Sequence, residues 1–179
     1  MKRIPAEVRK KAEKIRLLLL DVDGVLTDGR IIIDDRGVET KQFDARDGQG
    51  ISLLNRAGIE VGFVTGRSST VVRHRAKELK VRLVYQGIKN KADAYTKIKL
   101  KLGLGDEQIA YVGDDIADLA ILKRVGLAVT VKGSWAELVP VVDYVTAASG
   151  GRGAVREIAE MLLTAQGKWT EITTQYHKV

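Results

Sequence analysis

The chain contains no cysteine, which excludes disulfides, thiolate metal sites and any mechanism built on a cysteine nucleophile. Aromatic residues make up only 5%, and no recognition motif carries stacking aromatics, so a nucleic-acid partner is not expected. No apolar run approaches the roughly 18 residues that would span a bilayer. Nor does a secretory pattern open the sequence, because Lys2, Arg3, Arg9, Lys10 and Lys11 are followed by further charge rather than an apolar stretch. A cytoplasmic location fits these absences. Internal repeats, low-complexity segments and linkers are also missing, so the 179 residues predict one domain, long enough to bury a real core.

The net charge is +7, but it is concentrated at one end. Residues 1–16 hold seven Lys or Arg against two Glu, a net of +5, which leaves +2 for the rest of the chain. Val8, Ala12 and Ile15 recur there at helical spacing, which predicts a basic amphipathic helix with a solvated face rather than a nucleic-acid arm.

Beyond it the sequence alternates. Arg16–Asp23 reads RLLLLDVD, a short apolar run delivering acids to the end of a buried parallel strand. The two extended runs within residues 30–43 flank Asp34–Gly37 and predict a β-hairpin. Then come a helix over Asp47–Ala57, a strand over Glu60–Thr65, a helix over Ser68–Leu79 and a strand over Arg82–Gln86. A helix over Lys91–Leu102, a strand over Ile109–Gly113, a helix over Ile116–Val125 and a strand over Leu127–Val131 follow. A short helix near Ser134–Val139, a strand over Tyr144–Thr146 and a helix over Gly153–Gln166 complete the order. Residues 168–179 are polar and predict a loosely held tail. This repeated βα order is that of an α/β doubly wound parallel sheet with helices on both faces.

Four polar features fall at strand C-termini, where such sheets place ligands. They are Asp21-Val22-Asp23-Gly24, Thr65-Gly66-Arg67, Lys91 at a helix start, and Gly113-Asp114-Asp115 with Asp118 one turn on. Together they suit phosphoryl transfer. A carboxylate nucleophile and a phosphate dianion repel each other by several kcal/mol, to order of magnitude, at close range. Mg²⁺ held by hard oxygen ligands offsets that repulsion. Lys91 adds positive charge, and the Thr65 hydroxyl with nearby backbone N–H groups can bind phosphate oxygens. One acid attacks to give an aspartyl-phosphate; the other protonates the leaving alkoxide and then activates water.

The ordered set DVDG (21–24), Thr65, Lys91 and GDD (113–115) resembles the haloacid dehalogenase superfamily of phosphatases. That resemblance implies Asp21 as nucleophile and Asp23 as acid/base. It also implies Asp21, the backbone carbonyl of Asp23, and Asp114 as Mg²⁺ ligands. Over nearly the whole chain, DVDGVLTDGRI, FDARDGQGI, VTGR, YQGIKNK, YVGDDIADL and GGRGAVREIAEMLLTAQGK resemble the 3-deoxy-D-manno-octulosonate 8-phosphate phosphatase family. The resemblance implies an eight-carbon sugar-acid phosphate substrate and a role in lipopolysaccharide precursor synthesis. Phe43-Asp44 departs from the Phe-Asn of that family. The related nine-carbon 2-keto-3-deoxynononate 9-phosphate phosphatases tend to carry Glu at the positions of Arg67 and Arg152, so both arginines favour the eight-carbon substrate.

Thr65 lies only 44 positions after Asp21, and Lys91 26 positions after Thr65, so neither interval holds a cap domain. A neighbouring subunit is the expected substitute for shielding the intermediate. The family resemblance implies a homotetramer, with the 30–43 hairpin as assembly element and Gly150–Arg152 reaching a neighbour's site.

Other charges have two readings each. Asp115 and Asp118 are either partners that orient Lys91 and the metal waters or helix-start carboxylates. Arg67 and Arg75 are either a solvated helix face or cations for the substrate carboxylate, with Arg67 favoured because it adjoins Thr65. Arg46 and Asp47 divide evenly between substrate contact and local structure, and Arg152 is either a substrate contact or a loop charge. His74 and His177 read as surface residues, and Trp135 and Trp169 as packing residues. A phospho-acceptor signalling domain shares the acidic cluster, Thr and Lys, but has no use for Asp23 as acid/base.

Overall fold

A computed structural model describes residues 4–174. Helix α1 (Ala6–Ala12) leads into strand β1 (Leu17–Leu20), whose four leucines are all fully buried. Leu18 and Leu20 face one layer of the core, whereas Leu17 and Leu19 face the other. A strand covered on both faces needs no polar alternation, which is why this run is uniformly apolar.

The hairpin consists of β2 (Ile32–Ile33) and β3 (Glu39–Thr40), paired antiparallel as Ile32 with Thr40 and Ile33 with Glu39. Its turn is tied by Asp34, whose Oδ1 accepts from the N–H groups of Arg36 (3.0 Å) and Val38 (2.8 Å). Next come α2 (Ala45–Arg56), β4 (Glu60–Val64), α3 (Thr70–Glu78), β5 (Leu83–Tyr85), α4 (Lys91–Leu102), β6 (Ile109–Gly113) and α5 (Leu119–Leu122). The chain finishes with β7 (Leu127–Lys132), β8 (Tyr144–Ser149), α6 (Ala154–Ala165) and α7 (Trp169–Thr174).

Six strands form one parallel sheet in the order β5-β4-β1-β6-β7-β8. The chain winds outward from β1 through β4 to β5 on one side, then crosses to β6 and winds outward the other way. The reversal places a crevice at the C-terminal end of β1, between β4 and β6, which is where open α/β sheets bind ligands. Helices α1, α2, α3 and α6 cover one face and α4 and α5 the other. Between β1 and β4 there is only the hairpin and α2, so no cap domain interrupts the sheet.

Three stretches differ from the sequence reading, the first being the short helix near Ser134–Val139, which is a 3₁₀ stretch over Ala136–Val141. The helix expected over Ile116–Val125 is broken into a 3₁₀ turn (Ile116–Asp118) and the four-residue α5. The Asp118 carboxylate folds back to accept the N–H groups of Asp114 and Asp115 and so tightens the first turn. The stretch from Lys168 is not loose through residue 174. It forms α7, buries Ile172, stacks Trp169 against the Arg156 guanidinium (5.4 Å), and donates from Lys168 Nζ to the Ala57 carbonyl (3.0 Å). Residues 175–179, with His177, lie outside the described residues. Trp135 and Trp169 pack against the two core layers, and His74 is exposed.

Candidate active site

Asp21 follows directly on β1, and its N–H continues the ladder by donating to the Val112 carbonyl (3.0 Å). The chain then turns sharply at Gly24 (φ +93°), where a Cβ would run into the Asp114 carboxylate. Only glycine both adopts this backbone and lets the acid from β6 lie against it. The buried Thr27 hydroxyl shapes the same turn, accepting from Gly29 N–H at 3.2 Å. Across it lies the backbone of Gly150 and Gly151, with Gly151 N–H donating to the Val25 carbonyl (2.9 Å). At Gly150 a Cβ would strike the Gly24 carbonyl.

Carboxylate oxygens of Asp21, Asp114 and Asp118 converge within 4.8 Å of one another. Lys91 opens α4, after an Asn90 cap that accepts from Ala92 N–H, and points its ammonium into this cluster. It sits 3.0 Å from Asp21 Oδ1 and 2.6 Å from Asp118 Oδ1. Tyr111, buried on β6, donates to the same Asp118 oxygen at 2.5 Å. Asp118 Oδ2 accepts the N–H groups of Asp114 (3.0 Å) and Asp115 (3.2 Å). With both oxygens committed and no solvent exposure, Asp118 holds Lys91 and the 114–115 loop in place. Asp115 turns away, is exposed, and caps the 3₁₀ turn through Ile116 N–H (2.7 Å).

The electrostatics follow from burial. Desolvation pushes Asp21 up to about 6, against the pull of Lys91 and with the help of Asp118. It pushes Asp114 up to about 7, with Asp21 and Asp118 adding to the rise. Burial works against the Lys91 charge, yet Asp21 and Asp118 more than offset it, and its pKa ends above the ordinary lysine value. Burial, with Asp118 and Asp21, raises Tyr111 well above the ordinary phenol, so it stays a neutral donor.

This donor set fits a hard divalent cation. Asp21 meets Lys91 through Oδ1, and the Asp114 carboxylate lies against the Gly24 turn, directly after the Asp23 carbonyl. Two buried carboxylates with raised pKa, crowded at one point, are what a cation would relieve.

Thr65 ends β4 and is buried, its N–H pairing with the Tyr85 carbonyl (2.9 Å) and its Oγ1 accepting from Arg67 N–H (3.3 Å). Arg67 reaches Glu39 Oε1 (2.7 Å) and stands 3.7 Å from Asp23 Oδ2. Nothing in the sequence motifs marks Lys41. Its side chain is 1% exposed and is paired with Asp23 Oδ1 and, at 3.3 Å, with Glu39 Oε1.

Three expected substrate contacts are engaged elsewhere within the chain. Asp47 is buried and accepts from Gly153 N–H (3.2 Å) and Arg156 N–H (2.8 Å). It therefore caps the start of α6 from a neighbouring helix, and both its oxygens are committed. Arg75 pairs with Glu78 (2.9 Å) and lies over the Phe43 ring (5.6 Å), contacts that belong to the surface between α2 and α3. Arg46 is exposed, paired with Asp44 (2.7 Å) and donating to the Arg152 carbonyl (3.0 Å). At the departure from Phe-Asn, the Asp44 side chain caps α2 through Arg46 N–H (2.7 Å), as an asparagine would. Arg152 is largely exposed beside Asp28 of its own chain (3.9 Å).

Residues 37–126, half of the chain, match the family model for haloacid dehalogenase-like hydrolases. The chain is 46% identical over 172 residues to the 3-deoxy-D-manno-octulosonate 8-phosphate phosphatase KdsC of Escherichia coli, covering 96% of this chain and 92% of that one. Among solved structures, it is similar to the 3-deoxy-D-manno-octulosonate 8-phosphate phosphatase of Moraxella catarrhalis in complex with magnesium, phosphate and KDO. There the TM-score is 0.93 at 39% identity, over 95% of this chain and 98% of that one. A probable YrbI family phosphatase of Pseudomonas syringae superposes with a TM-score of 0.96 at 37% identity, over 98% and 99% of the two chains.

Proposed function

Because the chain belongs to the haloacid dehalogenase-like hydrolases, and within them to the 3-deoxy-D-manno-octulosonate 8-phosphate phosphatase family, we propose that it hydrolyses 3-deoxy-D-manno-octulosonate 8-phosphate to the free sugar acid and phosphate. The reaction serves lipopolysaccharide precursor synthesis, uses Mg²⁺, and passes through an aspartyl-phosphate on Asp21. The observation that carries this reading is the meeting of Asp21, Asp114 and Lys91 at the end of β1, with Asp23 two residues beyond.

Asp21, the Asp23 carbonyl and Asp114 would hold the cation, which neutralises phosphate charge when bound. Asp21 attacks phosphorus with its free carboxylate oxygen while Lys91 holds the other. The Thr65 hydroxyl and the N–H groups of the Asp21–Gly24 turn bind phosphoryl oxygens. As the bond from phosphorus to the sugar oxygen breaks, Asp23 gives its proton to the departing alkoxide. The resulting Asp23 carboxylate then takes a proton from water, whose oxygen attacks phosphorus. The bond to Asp21 breaks, and phosphate leaves. Arg67 and Arg152 supply positive charge for the substrate carboxylate.

The protein is a cytoplasmic homotetramer in this reading. Support for assembly comes from the hairpin, where Ile31, Ile32, Ile33 and Val38 are exposed at 46, 41, 57 and 52%, more apolar surface than a lone hairpin keeps in water. No helix among the described residues is long and apolar enough to cross a membrane. Replacing Ile33 with Glu should shift the sedimentation coefficient to a smaller species; an unchanged coefficient would remove the hairpin from the interface.

A phosphate-release screen over eight- and nine-carbon keto-acid phosphates, with and without Mg²⁺, tests the substrate. Fastest release from the eight-carbon ester is expected. Asp23→Asn should accumulate acid-stable, alkali-labile phosphoenzyme. Hydrolysis of other sugar phosphates but neither keto acid would overturn the substrate while leaving the chemistry.

A further inference from the structure

The hairpin does more than expose apolar residues. Its return strand β3 and the residue after it carry Glu39 and Lys41 back to the acid that follows the nucleophile. Asp23, Lys41, Glu39 and Arg67 form a closed ring of alternating charge. Lys41 holds Asp23 Oδ1 and stands 3.3 Å from Glu39 Oε1. Arg67 binds that same Glu39 oxygen at 2.7 Å and approaches Asp23 Oδ2 to 3.7 Å. Each oxygen of Asp23 thus faces a separate cation, but the two contacts differ in kind. The Arg67 approach is longer than a hydrogen bond, and its side chain is 48% exposed. The Lys41 side chain is 1% exposed, although its backbone is not, and it is bonded directly.

A lysine is rarely buried this fully, because desolvating an ammonium is costly unless its protons are all used. Here the burial places the charge where it fixes one rotamer of Asp23. Arg67, tied at 2.7 Å to Glu39, stands off Oδ2 and leaves that oxygen room for the proton of the acid step. We propose that Lys41 is the positioning residue for the acid/base, holding Asp23 over the leaving oxygen and later over the attacking water. Glu39 in turn fixes Lys41, so the seating of the hairpin and the aim of Asp23 are set by one side chain. This rests on the phosphatase reading with Asp23 as acid/base.

The distinguishing experiment uses the full-length Mg²⁺ enzyme and p-nitrophenyl phosphate. Its nitrophenolate leaves without needing a proton, so the first step tolerates a misplaced Asp23 whereas the second does not. With Lys41→Met, nitrophenolate should appear in a burst equal to the enzyme concentration at close to the parental rate. Steady turnover should then fall by about 10–100-fold, the range expected when a general base is held about 1 Å off. On 3-deoxy-D-manno-octulosonate 8-phosphate both steps slow, so kcat falls similarly while KM stays within about threefold. Lys41→Arg, which keeps the charge, should recover part of the turnover, and it carries the same test if the Met variant does not fold. A burst slowed as much as turnover, turnover equal to the parent, or an Arg variant no faster than Met would each overturn the proposal. An unmutated enzyme that releases neither nitrophenolate nor phosphate would instead sink the phosphatase reading itself.

Discussion

Asp118 and Lys91 should behave as one energetic unit, and a double-mutant cycle on metal-free protein measures it. Asp118 is fully buried and accepts four hydrogen bonds, from Lys91 at 2.6 Å, Tyr111 at 2.5 Å, and the N–H groups of Asp114 and Asp115. In Asp118→Asn one oxygen remains to accept, and the new NH₂ must face either Lys91 or the backbone donors. Breaking a buried charge pair from one side costs about 3–5 kcal/mol. For a chain of this length that corresponds to a fall in Tm of roughly 6–20 °C, at about 2–4 °C per kcal/mol. Lys91→Met alone leaves Asp21 and Asp118 facing each other and should cost a similar amount. In the double variant the conflict disappears, because the Asn NH₂ can donate to the Tyr111 oxygen and no cation opposes it. The two changes together should therefore cost about 2–3 kcal/mol less than the sum of the singles. Urea unfolding at fixed protein concentration provides the four energies. Additivity within about 0.5 kcal/mol would refute the reasoning, since it would mean that the two residues do not share their burial cost.

Metal binding should be proton-linked. Asp21 and Asp114 have folded values near 6 and 7, above their unfolded range, so the metal-free fold binds more protons than the unfolded chain between about pH 4 and 7. Its stability from these groups consequently falls as pH rises through that window. Mg²⁺ should raise Tm more at pH 8 than at pH 5.5 and release protons at pH 6, measured by scanning fluorimetry and by calorimetry in two buffers; a pH-independent shift would contradict it. Asp47→Ala should lower stability by about 0.5–2 kcal/mol through loss of the α6 cap, yet leave kcat/KM within about threefold. A large rise in KM would return Asp47 to the substrate site.

The sequence shows the parts of this site that are local and hides those that depend on distant pairing. The βα alternation and the acids at strand ends are legible because burial on both faces forces runs such as Leu17–Leu20 and ends them abruptly. Lys91 is legible because a lysine at a helix start opposes the helix dipole without a reason of its own. Strand order is not written in any segment, so the neighbours of β1 appear only once the sheet is assembled. Asp47 looks like a first-turn acid of α2, but the backbone it caps lies 106 and 109 residues later. Lys41 reads as a charge on a short hairpin, the usual pattern of a solvated edge. Its side chain is shielded only in the fold, where it meets Asp23, 18 residues earlier, and Glu39. The single available signal was the company it keeps, an acid two residues before it on a strand too short to have a buried face of its own.

The backbone of Gly150 and Gly151 rests on the turn that carries the attacking carboxylate. The reaction centre is thus sealed by a segment remote in sequence, and a cut between β8 and α6 should loosen the Asp21 turn although it removes none of the carboxylates.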